Sequence, residues 1–96
     1  MITELAVLHI KENESHLFEN AFKEAQEIIS KMKGYIEHEL QKCIEEKNKY
    51  ILMVRWNTIE DHKEGFRKSK EYNEWKIMLH HFYDPFPVVE YYKKIN

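Results

Sequence analysis

Residues 35–56 read YIEHELQKCIEEKNKYILMVRW. Two runs rich in aliphatic, aromatic and β-branched types flank a polar cluster, the signature of two strands joined by a turn. The first strand is expected over 35–44, with Ile36, His38, Leu40 and Lys42 on one face. Glu45 to Asn48 form the turn, and 49–56 (KYILMVRW) is the most apolar strand of the chain. Immediately upstream, Leu17, Phe18, Phe22, Ala25, Ile28, Ile29 and Met32 recur at spacings of three and four, one apolar stripe of a helix. Asn13 or Ser15 is placed to cap its start, and Gly34 supplies a left-handed stop after Lys33. Before the helix, 2–11 (ITELAVLHIK) reads as a strand. After Trp56, Asn57 or Thr58 begins a short helix through about Phe66. Ser69 then caps a further helix on which Tyr72, Trp75, Leu79 and Phe82 share a face. Asp84-Pro85-Phe86-Pro87 must break it, because proline lacks the N–H and clashes with the preceding turn. Residues 88–94 (VVEYYKK) form the last strand.

The order is βαββαβ, an α+β chain with an antiparallel, ferredoxin-like sheet. Right-handed crossovers place both helical blocks on one side of that sheet. Yet the strands are apolar on both sides: Ala6, Leu8 and Ile10 against Leu5 and Val7, and Ile51 and Met53 against Leu52 and Val54. The uncovered side calls for a cover, and a second copy packed sheet to sheet supplies it most economically. At about 25 cal/mol per Å2, burying a few hundred Å2 would contribute several kcal/mol per subunit. A homodimer through the sheet face is the expectation.

The 96 residues are expected to form one domain, 1–96. Charged residues make up 33% and hydrophobic ones 43%, and the net charge of −2 comes from interleaved signs. With no basic stripe, nucleic acid and anionic membrane are poor partners. The lone cysteine, Cys43, leaves no internal disulfide and no Cys-based metal site. The N-terminus lacks a basic n-region and a cleavage site, and no stretch is long enough to span a bilayer. A cytoplasmic setting fits.

Several residues admit both a chemical and a structural reading. His80 and His81 look like a metal pair, but helix neighbours point about 100° apart. No metal site is expected, and the two imidazoles read as helix-end groups that satisfy terminal carbonyls. His9 and His38 are able to face one side of the sheet, as bases near neutral pH or as hydrogen-bonded sheet residues. Arg55, beside Trp56, is suited to hold a phenolate or to pair with a carboxylate. Phe66, Tyr72, Trp75, Phe82, Tyr83 and Phe86 form an aromatic cluster that is either core or the wall of a pocket for a flat ligand. Cys43 has no base placed beside it. With only Gly34 and Gly65 in the chain there is no phosphate-binding loop, and neither a serine elbow nor HExxH occurs.

Lys33-Gly34-Tyr35, the strand ending Arg55-Trp56, Phe66-Arg67-Lys68-Ser69 with Tyr72 after it, and the tail FYDPFPVVEYY occur in an order that resembles the antibiotic biosynthesis monooxygenase (ABM) domain family. The resemblance implies a dimeric α+β barrel with a ligand cavity between sheet and helices. Some members oxygenate aromatic or quinol substrates with O2 and neither metal nor flavin. A cofactor-independent monooxygenase acting on an aromatic or quinone-like small molecule is therefore the leading expectation. Its polar groups would be His9, His38, Arg55 and Tyr83, in a pocket walled by Trp56, Phe66, Tyr72, Trp75, Phe82 and Phe86. No cofactor is expected. Another branch degrades haem with an Asn, a Trp and a His at places occupied here by Ala6, Phe66 and Lys76, so that activity is disfavoured. Haem binding alone would need His80 or His81 turned inward. The rival expectation is a non-catalytic module that binds a small hydrophobic ligand or a partner protein.

Overall fold

A computed structural model describes all residues, 1–96. Its elements are β1 (Ile2–His9), α1 (Ser15–Ile29), β2 (Tyr35–Lys42), β3 (Lys49–Trp56), a wide helical turn α2 (Asp61–Phe66), α3 (Lys70–Leu79), a 3-10 turn (His80–Phe82) and β4 (Val89–Tyr92). The strands pair antiparallel in the order β2-β3-β1-β4. This is the expected ferredoxin-like α+β arrangement, with the third and fourth strands shorter or equal to their expected spans and β4 reduced to four residues.

Alternation sorts the sheet residues. Glu4, Ala6, Leu8 and Ile10, together with Tyr50, Leu52, Val54 and Trp56, are buried beneath the helices. Phe18, Phe22, Ala25 and Ile29 of α1 close the core over them, joined by Phe66, Trp75, Leu79 and Phe82. Leu5, Val7, Ile51 and Met53 point the other way and are only half-buried, because no element of the chain covers that face. No helix is long and apolar enough to cross a membrane.

Local chemistry corrects some boundaries. Neither Asn13 nor Ser15 caps α1: Glu14 holds the cap position without a side-chain bond, and Asn13 adopts φ 66 in the turn before it. The Ser15 hydroxyl donates instead to Asn48 Oδ1 at 2.7 Å, tying the helix to the β2–β3 turn. Gly34 stops the chain as expected with φ 83, and the space its missing Cβ leaves is filled by the Asp61 side chain. Ile36 does not join His38 and Leu40. A bulge between Tyr35 and Glu37 sets it aside, so Tyr35 faces the helices with them. Thr58 begins the second helical block reciprocally: its hydroxyl accepts from Asp61 N–H at 3.1 Å, and its N–H donates to Asp61 Oδ2 at 3.2 Å. Ser69 Oγ accepts from Tyr72 N–H at 3.1 Å and starts α3.

Candidate active site

The decisive residue is a carboxylate in a strand. Glu4 lies on central β1, opposite Val54 on one side and Tyr91 on the other, and alternation turns it under the helices. It is only 6% exposed. The Trp56 indole N–H donates to Glu4 Oε1 at 2.9 Å. Burial lifts its pKa from 4.5 to about 7, against the opposing pull of the Trp56 hydrogen bond and the Arg67 charge. A carboxyl group that titrates near neutrality is suited to proton abstraction.

His62 stands next to it. The α2 turn closes with i→i+5 bonds, including Arg67 N–H to the His62 carbonyl at 2.9 Å. In an α-helix, residues five apart would point about 140° from each other; the wider turn brings His62 and Arg67 to the same cavity. Tyr91 O–H, on β4, meets His62 Nδ1 at 2.5 Å. With Nδ1 accepting that bond, Nε2 carries the imidazole hydrogen and stands 3.4 Å from Glu4 Oε2. Burial first, then the Arg67 and Lys63 charges, push His62 down to about 4. The imidazole is therefore neutral at pH 7, and its contact with Glu4 is not an ion pair.

Glu4 and His62 form the floor of a cavity between sheet and helices, with Ala6, Leu8, Leu52 and Val89 beside them. Phe66, Tyr72 and Trp75 form its walls, and Tyr83, His80, Phe86 and Pro87 form its roof and rim. Its empty space, open mouth included, is about 480 Å3, of which about 50 Å3 admits the centre of a water molecule. Burial, followed by the Lys76 and Arg67 charges, pushes His80 down to about 4. Burial also raises the Tyr83 and Tyr72 hydroxyls.

Of the ten side chains singled out in the sequence, Phe66, Tyr72, Trp75, Tyr83 and Phe86 line this cavity. Trp56 and Phe82 are core: Trp56 is fully buried behind Glu4, and Phe82 packs on Phe18 at 5.8 Å between ring centroids. His9 and His38 do not share a side. His9 opens on the uncovered face, 3.6 Å from Glu46, whereas His38 faces α1. There His38 is locked at the sheet edge, Nε2–H donating to Gln26 Oε1 at 3.0 Å and Nδ1 accepting from Tyr35 O–H at 2.5 Å. Arg55 also lies outside the cavity, exposed and paired with Glu37 at 2.6 Å. His80 does not cap carbonyls but turns into the cavity, its ring 4.9 Å from that of Phe86, while His81 stays outside against Phe82. The imidazole that haem ligation would require is thus present, but 50 Å3 of free room does not admit a macrocycle.

Glu4, His62 and Arg67 were not among the expected site residues. Glu4 shares the parity of Ala6, Leu8 and Ile10, so a carboxylate on the buried face was a readable signal.

The fold is shared with known proteins. A profile of the antibiotic biosynthesis monooxygenase family matches residues 1–76, and the chain belongs to that family. YczJ of Bacillus subtilis (strain 168), an uncharacterised protein, is 58% identical over 95 residues, covering 99% of this chain and 100% of its own. A Bordetella bronchiseptica crystal structure assigned to the antibiotic biosynthesis monooxygenases superposes with a TM-score of 0.95 at 25% identity, over 99% of this chain and 97% of the other. SnoaB, a cofactor-independent oxygenase from Streptomyces nogalater, superposes with a TM-score of 0.83 at 12% identity, over 99% and 93%, a likeness of fold alone.

Proposed function

We propose that the protein is a cofactor-independent monooxygenase that acts on an aromatic or quinone-like small molecule and works as a homodimer. The observation that carries this reading is Glu4, a buried carboxyl group that titrates at about 7 on the floor of an aromatic cavity. A phenol or enol seated there gives its proton to the Glu4 carboxylate, which Trp56 holds in place. The anion passes an electron to O2, and the resulting radical pair combines to form a C–O bond at an electron-rich ring carbon. The peroxide anion takes the proton back from Glu4, and the hydroperoxide loses water and leaves a carbonyl. One oxygen atom enters the product and the other leaves as water, so the substrate supplies all four electrons and no external reductant is needed. The Tyr83 hydroxyl, also on the cavity, donates a hydrogen bond to the developing oxyanion.

The homodimer rests on the uncovered sheet face, where Leu5, Val7, Ile51 and Met53 are half-buried. His9 and Arg55 lie on that face and would meet the partner sheet. A carrier without chemistry would have no use for an acid–base group converging on its ligand, and Glu4 beside His62 favours the enzyme. Oxygen uptake by purified protein with chelator present, against a panel of anthrones, quinols and dihydroxynaphthoquinones, tests the reading. Uptake above the buffer rate, with one atom of 18O2 in the product, supports it. No uptake across the panel removes it in favour of the binding module.

A further inference from the structure

The mouth of the cavity carries a charge that has no ion-pair partner. Arg67 lines the cavity yet is exposed, which places it at the entrance. Basic and acidic side chains approach within 4 Å at His9–Glu46, Lys42–Glu19, Lys49–Glu46, Arg55–Glu37, Lys68–Glu64 and the neutral His62–Glu4 contact, and Arg67 takes part in none. It is also the only lysine or arginine on the cavity. Both cavity imidazoles are neutral at pH 7, so Arg67 is the one full positive charge that a ligand meets.

The neutral polar groups around it are unused as well. Every buried side-chain nitrogen and oxygen in the molecule has a hydrogen-bond partner. The Tyr72 and Tyr83 hydroxyls and the His80 imidazole, by contrast, bond to no other protein group and open into the cavity. A guanidinium and three neutral hydrogen-bonding groups, left free on an aromatic slot, form a set matched to a carboxylate or enolate oxygen on a flat ring. Size narrows the class further. Room for about four waters, at about 10–15 Å3 each, suits a small ligand of one ring better than a fused tricycle, and the exposed Phe86 stands at its rim.

We propose that the cavity selects a single-ring hydroxylated aromatic bearing a second, fixed anionic oxygen, which Arg67 holds at the mouth while the ring hydroxyl reaches Glu4 at the floor. The role of Glu4 rests on the oxygenase reading given above; the selection of an anion rests on Arg67 and the free polar groups alone. The chain thereby tells a hydroxybenzoate-like acid from a neutral phenol of the same shape.

The test is binding, measured by calorimetry on the unmodified chain and followed through its own tryptophan fluorescence. The probes are 4-hydroxybenzoate and its neutral counterpart 4-methylphenol, at two salt concentrations. The expected result is at least tenfold tighter binding of the acid, a preference that weakens in high salt and vanishes in Arg67→Gln. Arg67→Lys should restore part of it. Arg67 is exposed and unpaired, so the fold should tolerate these changes, and circular dichroism confirms it. Equal affinity for the two probes, a preference untouched by Arg67→Gln, or no binding of either would overturn the proposal. Acid binding without oxygen uptake would leave anion selection standing and remove the oxygenase. Oxygen uptake from neutral quinols without any preference for acids would do the reverse.

Discussion

Replacing Glu4 by glutamine should make the stability of the protein depend on pH in a way that isolates this one carboxyl group. In the unfolded chain Glu4 titrates near 4.5, and in the fold at about 7. The folded value is raised, so the stabilising difference is fully present below 4.5 and is lost as pH climbs through 7. A gap of about 2.5 pH units, at about 1.36 kcal/mol each, comes to about 3 kcal/mol. His62 acts in the opposite sense. Its folded value of about 4, against 6.5 unfolded, lowers stability as pH falls through that window. The two slopes oppose one another between about 4.5 and 6.5, and His80, also pushed down to about 4, adds to the histidine side, so the wild-type profile alone does not isolate Glu4. Subtraction exposes the Glu4 part, because His62 and His80 are present in both proteins. Urea unfolding at fixed protomer concentration, from pH 4 to 8.5, should show Glu4→Gln gaining about 3 kcal/mol on the wild type between the acid and alkaline ends. A difference that stays level across that range would refute the buried, proton-holding carboxyl group.

Other perturbations follow from the same geometry. Tyr91→Phe leaves the buried His62 Nδ1 without its donor and should cost about 1–3 kcal/mol in chemical unfolding. Gly34→Ala forces a side chain onto φ 83 and into the Asp61 carboxyl group; thermal unfolding should show a loss of at least about 1 kcal/mol. Val7→Lys, on the uncovered sheet face, should convert the proposed dimer to a monomer in sedimentation while leaving the far-ultraviolet dichroism intact. A mass unchanged by that substitution would contradict a sheet-to-sheet dimer.

The sheet was legible because its residues obey period two. In β1 and β3 every second side chain is buried, and the stripe on α1 (Phe18, Phe22, Ala25 and Ile29) follows period 3.6. What escaped were the places where one residue too many enters a regular element. The bulge at Ile36 shifts Tyr35 to the helix side, and the i→i+5 turn re-aims Arg67 toward His62. Neither irregularity leaves a mark in the spacing of apolar residues. The site was misjudged for a related reason: His9 and Arg55 drew notice as residue types, yet their parity with Leu5 and Met53 sends them to the uncovered face. Glu4, by parity, was on the cavity side throughout. The aromatic wall was partly legible, since Phe66, Tyr72, Trp75, Tyr83 and Phe86 surround the cavity, while Trp56 lies behind it as the donor that fixes Glu4.

In the proposed reaction Glu4 takes the proton that commits a substrate to oxygen. The most direct test is the pH dependence of oxygen uptake by wild type and Glu4→Gln, on whichever phenol or quinol of the panel is consumed, with chelator present. The wild-type rate should rise through a midpoint near 7 and level off above it, as the carboxyl group ionises. Glu4→Gln should lose about a hundredfold or more, the usual weight of a general base. A glutamine variant that keeps the wild-type rate and the same midpoint would contradict the account.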